Sequence, residues 1–96
     1  MGENKHIVYI LQCHDGTLYT GYTNDMKRRL RLHESGKGAK YTRGRGPFQV
    51  KYMKHFPTKE EAMQQEYAIK RLSRKHKEQL ICRNHEEDRH ENTEEF

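Results

Sequence analysis

The chain has 96 residues, of which 31% are hydrophobic and 34% charged, enough for one small core and no second domain. It has no apolar run near the ~18 residues of a membrane helix, and its opening Met1-Gly2-Glu3-Asn4-Lys5-His6 lacks the apolar stretch of a secretory signal. Its two cysteines, Cys13 and Cys82, are too few for a disulfide framework and too widely spaced for a zinc knuckle, so membrane, secreted and zinc-finger classes are excluded and two reduced thiols in a cytoplasmic protein are expected.

The net charge of +5 conceals an asymmetry: residues 84–96 carry a net −5, leaving +10 on residues 1–83. A body that basic concentrates polyanions, which points to a nucleic-acid or phosphate partner bound in a salt-sensitive way. The segment 84–96 has too little apolar content to fold and is expected to be a disordered acidic tail.

Ile7-Val8-Tyr9-Ile10-Leu11 is a continuous apolar run and predicts a strand buried on both faces. Asp15-Gly16 supplies a hairpin turn, and Thr17–Tyr22 returns as the second strand. Thr23 or Asn24 is expected to cap a helix over about 25–35, closed by Gly36. Residues 36–46 form a basic loop punctuated by glycines, with room for one helical turn near 39–43. Phe48–Phe56 alternates as a third strand. Thr58 and Glu61 make a capping box for a helix over about 59–72, and Ser73 caps a last helix to about Cys82. The order β-β-α-β-α-α is that of an α+β domain spanning 1–83, with a small three-stranded antiparallel sheet flanked by helices.

Two helices turn ionisable residues inward. On the first, Arg29 and His33 fall within the arc defined by Met26, Leu30 and Leu32. On the second, Glu66 lies between Ala62, Met63 and Ile69, where a carboxylate needs a cation, a metal or several hydrogen bonds. One account is a structural Arg29–Glu66 ion pair; the other is an anion-binding Arg beside a metal-binding Glu. The tyrosines bear on this choice through the turn. A two-residue Asp15-Gly16 turn places Tyr9 and Tyr19 on opposite faces. A three-residue His14-Asp15-Gly16 loop with a glycine bulge pairs Tyr9 with Gly21 and Leu11 with Tyr19, putting both tyrosines on one face. The bulged turn is the expectation.

Ile7-Val8-Tyr9, then Tyr19-Thr20-Gly21, Arg29 and His33 at fixed spacing, and Glu66 on the later helix together resemble the signature of the GIY-YIG nucleases. The resemblance spans about residues 5–82 and is strongest to small stand-alone bacterial members without a defined function. It extends to Slx-type structure-selective endonucleases through Gly44-Arg45-Gly46-Pro47 and His55-Phe56-Pro57-Thr58. Ile7 stands where the motif has its first glycine, and Tyr22 where many members carry Lys.

The resemblance implies hydrolysis of a DNA phosphodiester assisted by a single Mg²⁺ or Mn²⁺, in repair or recombination, within the bacterial cytoplasm or nucleoid. Glu66 would hold the metal, Arg29 would stabilise charge on the phosphate, and Tyr19 would be the general base. Tyr9 would position water or phosphate, and His33 would assist proton transfer. For the nucleic acid itself, Lys37, Lys40, Arg43 and Arg45 surround Tyr41, which offers a stacking surface to an unpaired base. Lys70 and Arg74 begin a second basic patch suited to another duplex arm. Nothing resembles base-specific major-groove readout, so the expected selectivity is for branched, flapped or single-stranded DNA. The alternative is a nucleic-acid-binding module of the same fold that does not cut.

Overall fold

The computed structural model describes residues 5–94, with side chains described as far as residue 84. The sheet runs β2-β1-β3, built from β1 (His6–Gln12), β2 (Leu18–Thr23) and β3 (Gln49–Phe56), all antiparallel. β1 takes the centre because its apolar run has no polar face to offer water; Val8, Tyr9, Ile10 and Leu11 are fully buried. Full burial of such a side chain contributes roughly 1.5–3 kcal/mol, and a central strand buries both faces. Val8 and Ile10 pack with Tyr52, Ala62, Ile69 and Ile81 on one side. Tyr9 and Leu11 pack with Cys13 and Phe48 on the other, against partly buried Tyr19, Met26 and Leu30.

The turn between β1 and β2 is the bulged one. The Cys13 amide donates to the Thr17 carbonyl at 2.8 Å and the Gly16 amide to the Cys13 carbonyl at 2.9 Å, with Gly16 at φ +87°. A side chain at Gly16 would be strained there. The register that follows pairs Tyr9 with Gly21 and Leu11 with Tyr19. Against β3 the ladder slips between Ile10 and Leu11, leaving Lys51 as the extra residue.

Three helices complete the domain: α1 (Met26–Glu34), α2 (Lys59–Lys70) and α3 (Arg74–Glu94). The cap of α1 is Asp25, whose side chain accepts from the Arg28 amide, rather than Thr23 or Asn24. Thr23 instead braces the turn before it, its hydroxyl accepting from the Asp25 amide. The capping box of α2 forms as expected at Thr58, which accepts from the Glu61 amide. The loop between α1 and β3 contains one 3-10 turn, Lys40–Thr42.

The helix expected to end near Cys82 continues to Glu94, through most of the segment expected to be disordered. The sequence from 74 to 94 contains neither Gly nor Pro and is rich in Glu, Arg and Lys, residues with good intrinsic helix propensity. Residues 1–4 and 95–96 lie outside the described residues, and with them the ends of the opening segment and of the acidic tail. Both cysteine thiols are free, Cys13 buried and Cys82 exposed. No helix among the described residues is long and apolar enough to cross a membrane.

Candidate active site

Antiparallel pairing carries Tyr9 and Tyr19 to one face of the sheet, and α1 lies over that face with Arg29 and His33 turned down towards them. Gly21 permits the meeting: a Cβ there would lie 2.5 Å from Tyr9 Oη and 2.9 Å from the Tyr19 ring. The Tyr9 side chain therefore crosses its partner strand at the one position where no side chain obstructs it.

Tyr9 is fully buried and its hydroxyl is the hub of the cluster. Arg29 Nε donates to Tyr9 Oη at 3.3 Å, and His33 Nε2 lies 2.9 Å from the same oxygen. His33 Nδ1 lies 2.8 Å from Thr42 Oγ1, and that hydroxyl donates to the Ala39 carbonyl at 2.9 Å. Tyr19 is half-buried, its ring 5.4 Å from His33 and 6.3 Å from Tyr9 between centroids. Tyr41 stacks on Tyr19 at 5.9 Å and 27°, and the Arg45 guanidinium lies over the Tyr41 ring at 4.9 Å.

Burial, foremost, raises the Tyr9 pKa above its usual value, against a lowering by the Arg29 hydrogen bond; Tyr9 is a neutral phenol at neutral pH. The charge of Glu66, on α2, makes the smallest contribution to that rise. Arg29 is held charged, chiefly by its hydrogen bond to Tyr9 and further by Tyr19.

His33 is the one described residue of α1 that is fully buried, 1% exposed. Burial first, then the Arg29 charge, pushes its pKa from 6.5 down to about 4. Between pH 4 and 6.5 the unfolded chain takes up a proton that the folded chain does not, so stability is complete above 6.5 and falls as pH drops towards 4. The loss should be on the order of 3 kcal/mol. An NMR titration of the imidazole should show a midpoint near 4, and His33→Gln should flatten this part of the pH-stability curve. A midpoint near 6.5 would contradict a buried neutral imidazole.

The structure brings Tyr9, Tyr19, Arg29 and His33 together on one face of the sheet, while Glu66 sits on α2, whose Ala62 and Ile69 pack against the other face, and makes no ion pair with Arg29. Glu66 Oε2 pairs instead with Lys70 Nζ at 3.0 Å, one helical turn along, with the Glu66 side chain 16% exposed. Lys70, expected to contact DNA, pairs with this carboxylate while its own side chain stays 52% exposed. Arg74 bonds Glu78 on its own helix at 2.9 Å. Arg45 is tied to Asp15 at 2.5 Å, and its carbonyl accepts from the His14 amide at 2.7 Å. The basic loop is thereby fastened to the hairpin. Lys37, Lys40 and Arg43 are exposed.

A cavity of about 290 Å³ opens beside Arg29, lined also by Tyr22, Asp25, Arg28 and Lys59. Its three cations against one acid suit a phosphate. A larger one, about 520 Å³, lies at the C-terminal end of α1 and has Glu34 but no Lys or Arg among its lining residues. Phosphate chemistry favours the smaller one.

The described residues contain no cluster of three or more His, Cys, Asp or Glu side chains, so the expected donor Glu66, paired with Lys70, would act as a single carboxylate. One carboxylate is a poor zinc site but fits Mg²⁺, which keeps most of its waters and takes further ligands from substrate phosphate. The donor set is thus compatible with an ion completed by nucleic acid.

Two strands bearing tyrosines and an inward Arg and His one helical turn apart form the site's core on a small α+β domain, with Glu66 on a later helix. The chain belongs to the GIY-YIG family: the model of the GIY-YIG catalytic domain matches residues 5–79. It is 62% identical over 79 residues to a UPF0213 protein of Oceanobacillus iheyensis, covering 82% of this chain and 92% of the relative. A solution NMR structure of a UPF0213 protein from Bacillus halodurans matches with TM-score 0.55 and 62% identity, covering 80% of this chain and 82% of that one. Another, of a protein from E. faecalis, matches with TM-score 0.62 and 43% identity, covering 88% and 90%.

Sequence reasoning missed Thr42, Lys70 as the partner of Glu66, and the Tyr19–Tyr41 stack. For Lys70 a signal existed, since Glu66 and Lys70 are four apart on a helix. For Thr42 there was none, because loop folding has no period.

Proposed function

We propose that this protein is a divalent-metal-dependent endonuclease that hydrolyses DNA phosphodiester bonds, selecting branched, flapped or single-stranded structures. The observation that carries the reading is the Tyr9–Arg29–His33 cluster with Glu66 acting on the same tyrosine. Three elements, β1, β2 and α1, converge to place a fixed cation beside two phenols, and α2 carries the carboxylate.

Glu66 would hold Mg²⁺ or Mn²⁺, which supplies charge neutralisation at the scissile phosphate. Arg29, fixed through Nε, presents the rest of its guanidinium to phosphate oxygens as charge builds up on them. Tyr19 is the half-exposed phenol and the general base for the attacking water, with the Arg29 guanidinium beside it. Tyr9, having no exposed surface, does not touch water or phosphate but positions Arg29. His33 stays neutral and takes part through Tyr9. The exposed Lys37, Lys40 and Arg43 grip the backbone, and the Tyr19–Tyr41 stack offers its open edge to a base.

The test is cleavage of labelled duplex, flap, junction and single-stranded DNA in Mg²⁺, in Mn²⁺ and in chelator. Cutting should require metal and favour non-duplex forms at least about tenfold, a difference of about 1.4 kcal/mol. Equal cutting of plain duplex removes the structural selectivity. Tight binding in chelator with no cutting in metal supports a binding module instead.

A further inference from the structure

The structure assigns Thr42 the role of a positioning residue: its hydroxyl fixes the tautomer of His33 and thereby the direction in which Tyr9 gives its proton. The assignment follows from the two ends of the hydrogen-bond chain. At one end Arg29 Nε–H can only donate, and it points at Tyr9 Oη. At the other end the Ala39 carbonyl can only accept, and it receives the Thr42 hydroxyl proton. The same carbonyl also accepts the Thr42 amide at 3.0 Å; with the hydroxyl's one proton directed at it, Thr42 Oγ1 accepts from His33, which places a proton on Nδ1. A neutral imidazole then has a bare Nε2, and Tyr9 donates to it across 2.9 Å. The oxygen lone pair left on Tyr9 receives Arg29.

The opposite tautomer fails the same count. Nε2–H and Arg29 Nε–H would both point at one phenol oxygen, and the proton of a fully buried Tyr9 would lose the His33 acceptor, a costly state in the interior. Which nitrogen of a histidine carries the proton is set by the bond its other nitrogen makes, and here that bond is to Thr42.

The loop is shaped to deliver this contact. Thr42 is 1% exposed and sits at the end of the 3-10 turn. Gly38 brings the backbone against the imidazole so closely that a Cβ there would lie 2.5 Å from His33 Nδ1 and 3.0 Å from its Cα. Phe48 packs against the ring at 5.8 Å. The glycine-rich basic loop therefore has an interior duty besides any contact with nucleic acid.

The catalytic consequence rests on the proposed nuclease reading, but the tautomer does not, and the experiment separates them. Long-range ¹⁵N–¹H correlation of the full chain should show His33 protonated at Nδ1 and bare at Nε2. Thr42→Ser, which keeps the hydroxyl, should preserve that pattern. Thr42→Val, nearly isosteric but without it, should shift the proton to Nε2 or mix the two forms. Cleavage should fall about 10- to 100-fold in the valine variant, the scale on which a partner one bond removed from a working group acts, and recover in the serine variant. Nε2–H in the wild type overturns the assignment whether or not the valine variant folds. Unchanged nitrogen shifts in Thr42→Val also overturn it. In a protein that cuts, a switched tautomer with unchanged rate overturns the role in the reaction. Absence of cleavage in every variant, with the tautomer pattern as expected, refutes the nuclease reading and leaves the tautomer control standing.

Discussion

Arg29→Ala is expected to lower metal-dependent cleavage about 100- to 1,000-fold, the usual cost of removing one fixed donor aimed at developing charge. The fold should survive, because Arg29 is only half-buried and Tyr9 keeps His33 as the partner of its hydroxyl. Arg29→Lys sharpens the test. Lysine restores a charge but neither the planar fork nor the Nε–H that meets Tyr9, so rescue should be partial at best. Full rescue by lysine would show that a point charge is enough and that the Tyr9 anchor is irrelevant. Single-turnover rates on one branched substrate, with circular dichroism to verify folding, decide between these outcomes.

Glu66→Gln should cost at least about 1,000-fold in metal-dependent cutting, since the amide keeps the shape but removes the charge that would hold the ion and the several kcal/mol of stabilisation it supplies. DNA affinity in chelator should hold or rise, because a negative charge leaves a basic surface. Lys70 complicates the variant, as it pairs with the same carboxylate. Lys70→Met is therefore the control: it removes the pair and spares the carboxylate. If Lys70→Met loses as much activity as Glu66→Gln, the ion pair itself, not metal binding, accounts for the requirement. Fluorescence anisotropy without metal and cleavage across a Mg²⁺ titration read the two effects separately.

The parts of this site governed by a period were legible in the sequence. Strand alternation fixed the faces of Tyr9 and Tyr19 once the glycine bulge was chosen, and the observed Tyr9–Gly21 pairing follows from it. Helical periodicity turned Arg29, His33 and Glu66 inward before any contact was known. Element order and the Thr58 cap were equally plain, because each rests on local chemistry. The cap of α1 was ambiguous because Thr23, Asn24 and Asp25 are all competent N-caps. The length of α3 misled because low apolar content argues against a core, not against a helix of charged, helix-favouring residues.

What remained hidden was the loop from 36 to 46. Its glycines and cations read as a surface for phosphates; Thr42 and Gly38 also reach the buried His33, and Arg45 contacts Asp15 and Tyr41. A loop closes through specific long-range bonds, and those have no signature in spacing. The same loop covers the imidazole beside Tyr9, so the segment expected to contact DNA also closes the interior of the site.

The most direct measurement is a single-turnover cleavage assay on a branched DNA, with wild type and Glu66→Gln purified side by side through identical steps. The account predicts cutting by the wild type that saturates with Mg²⁺ or Mn²⁺, stops in chelator and is lost in Glu66→Gln while DNA binding persists. Cutting that persists in Glu66→Gln, or wild-type protein that binds the DNA equally with and without metal and never cuts it, would contradict the account.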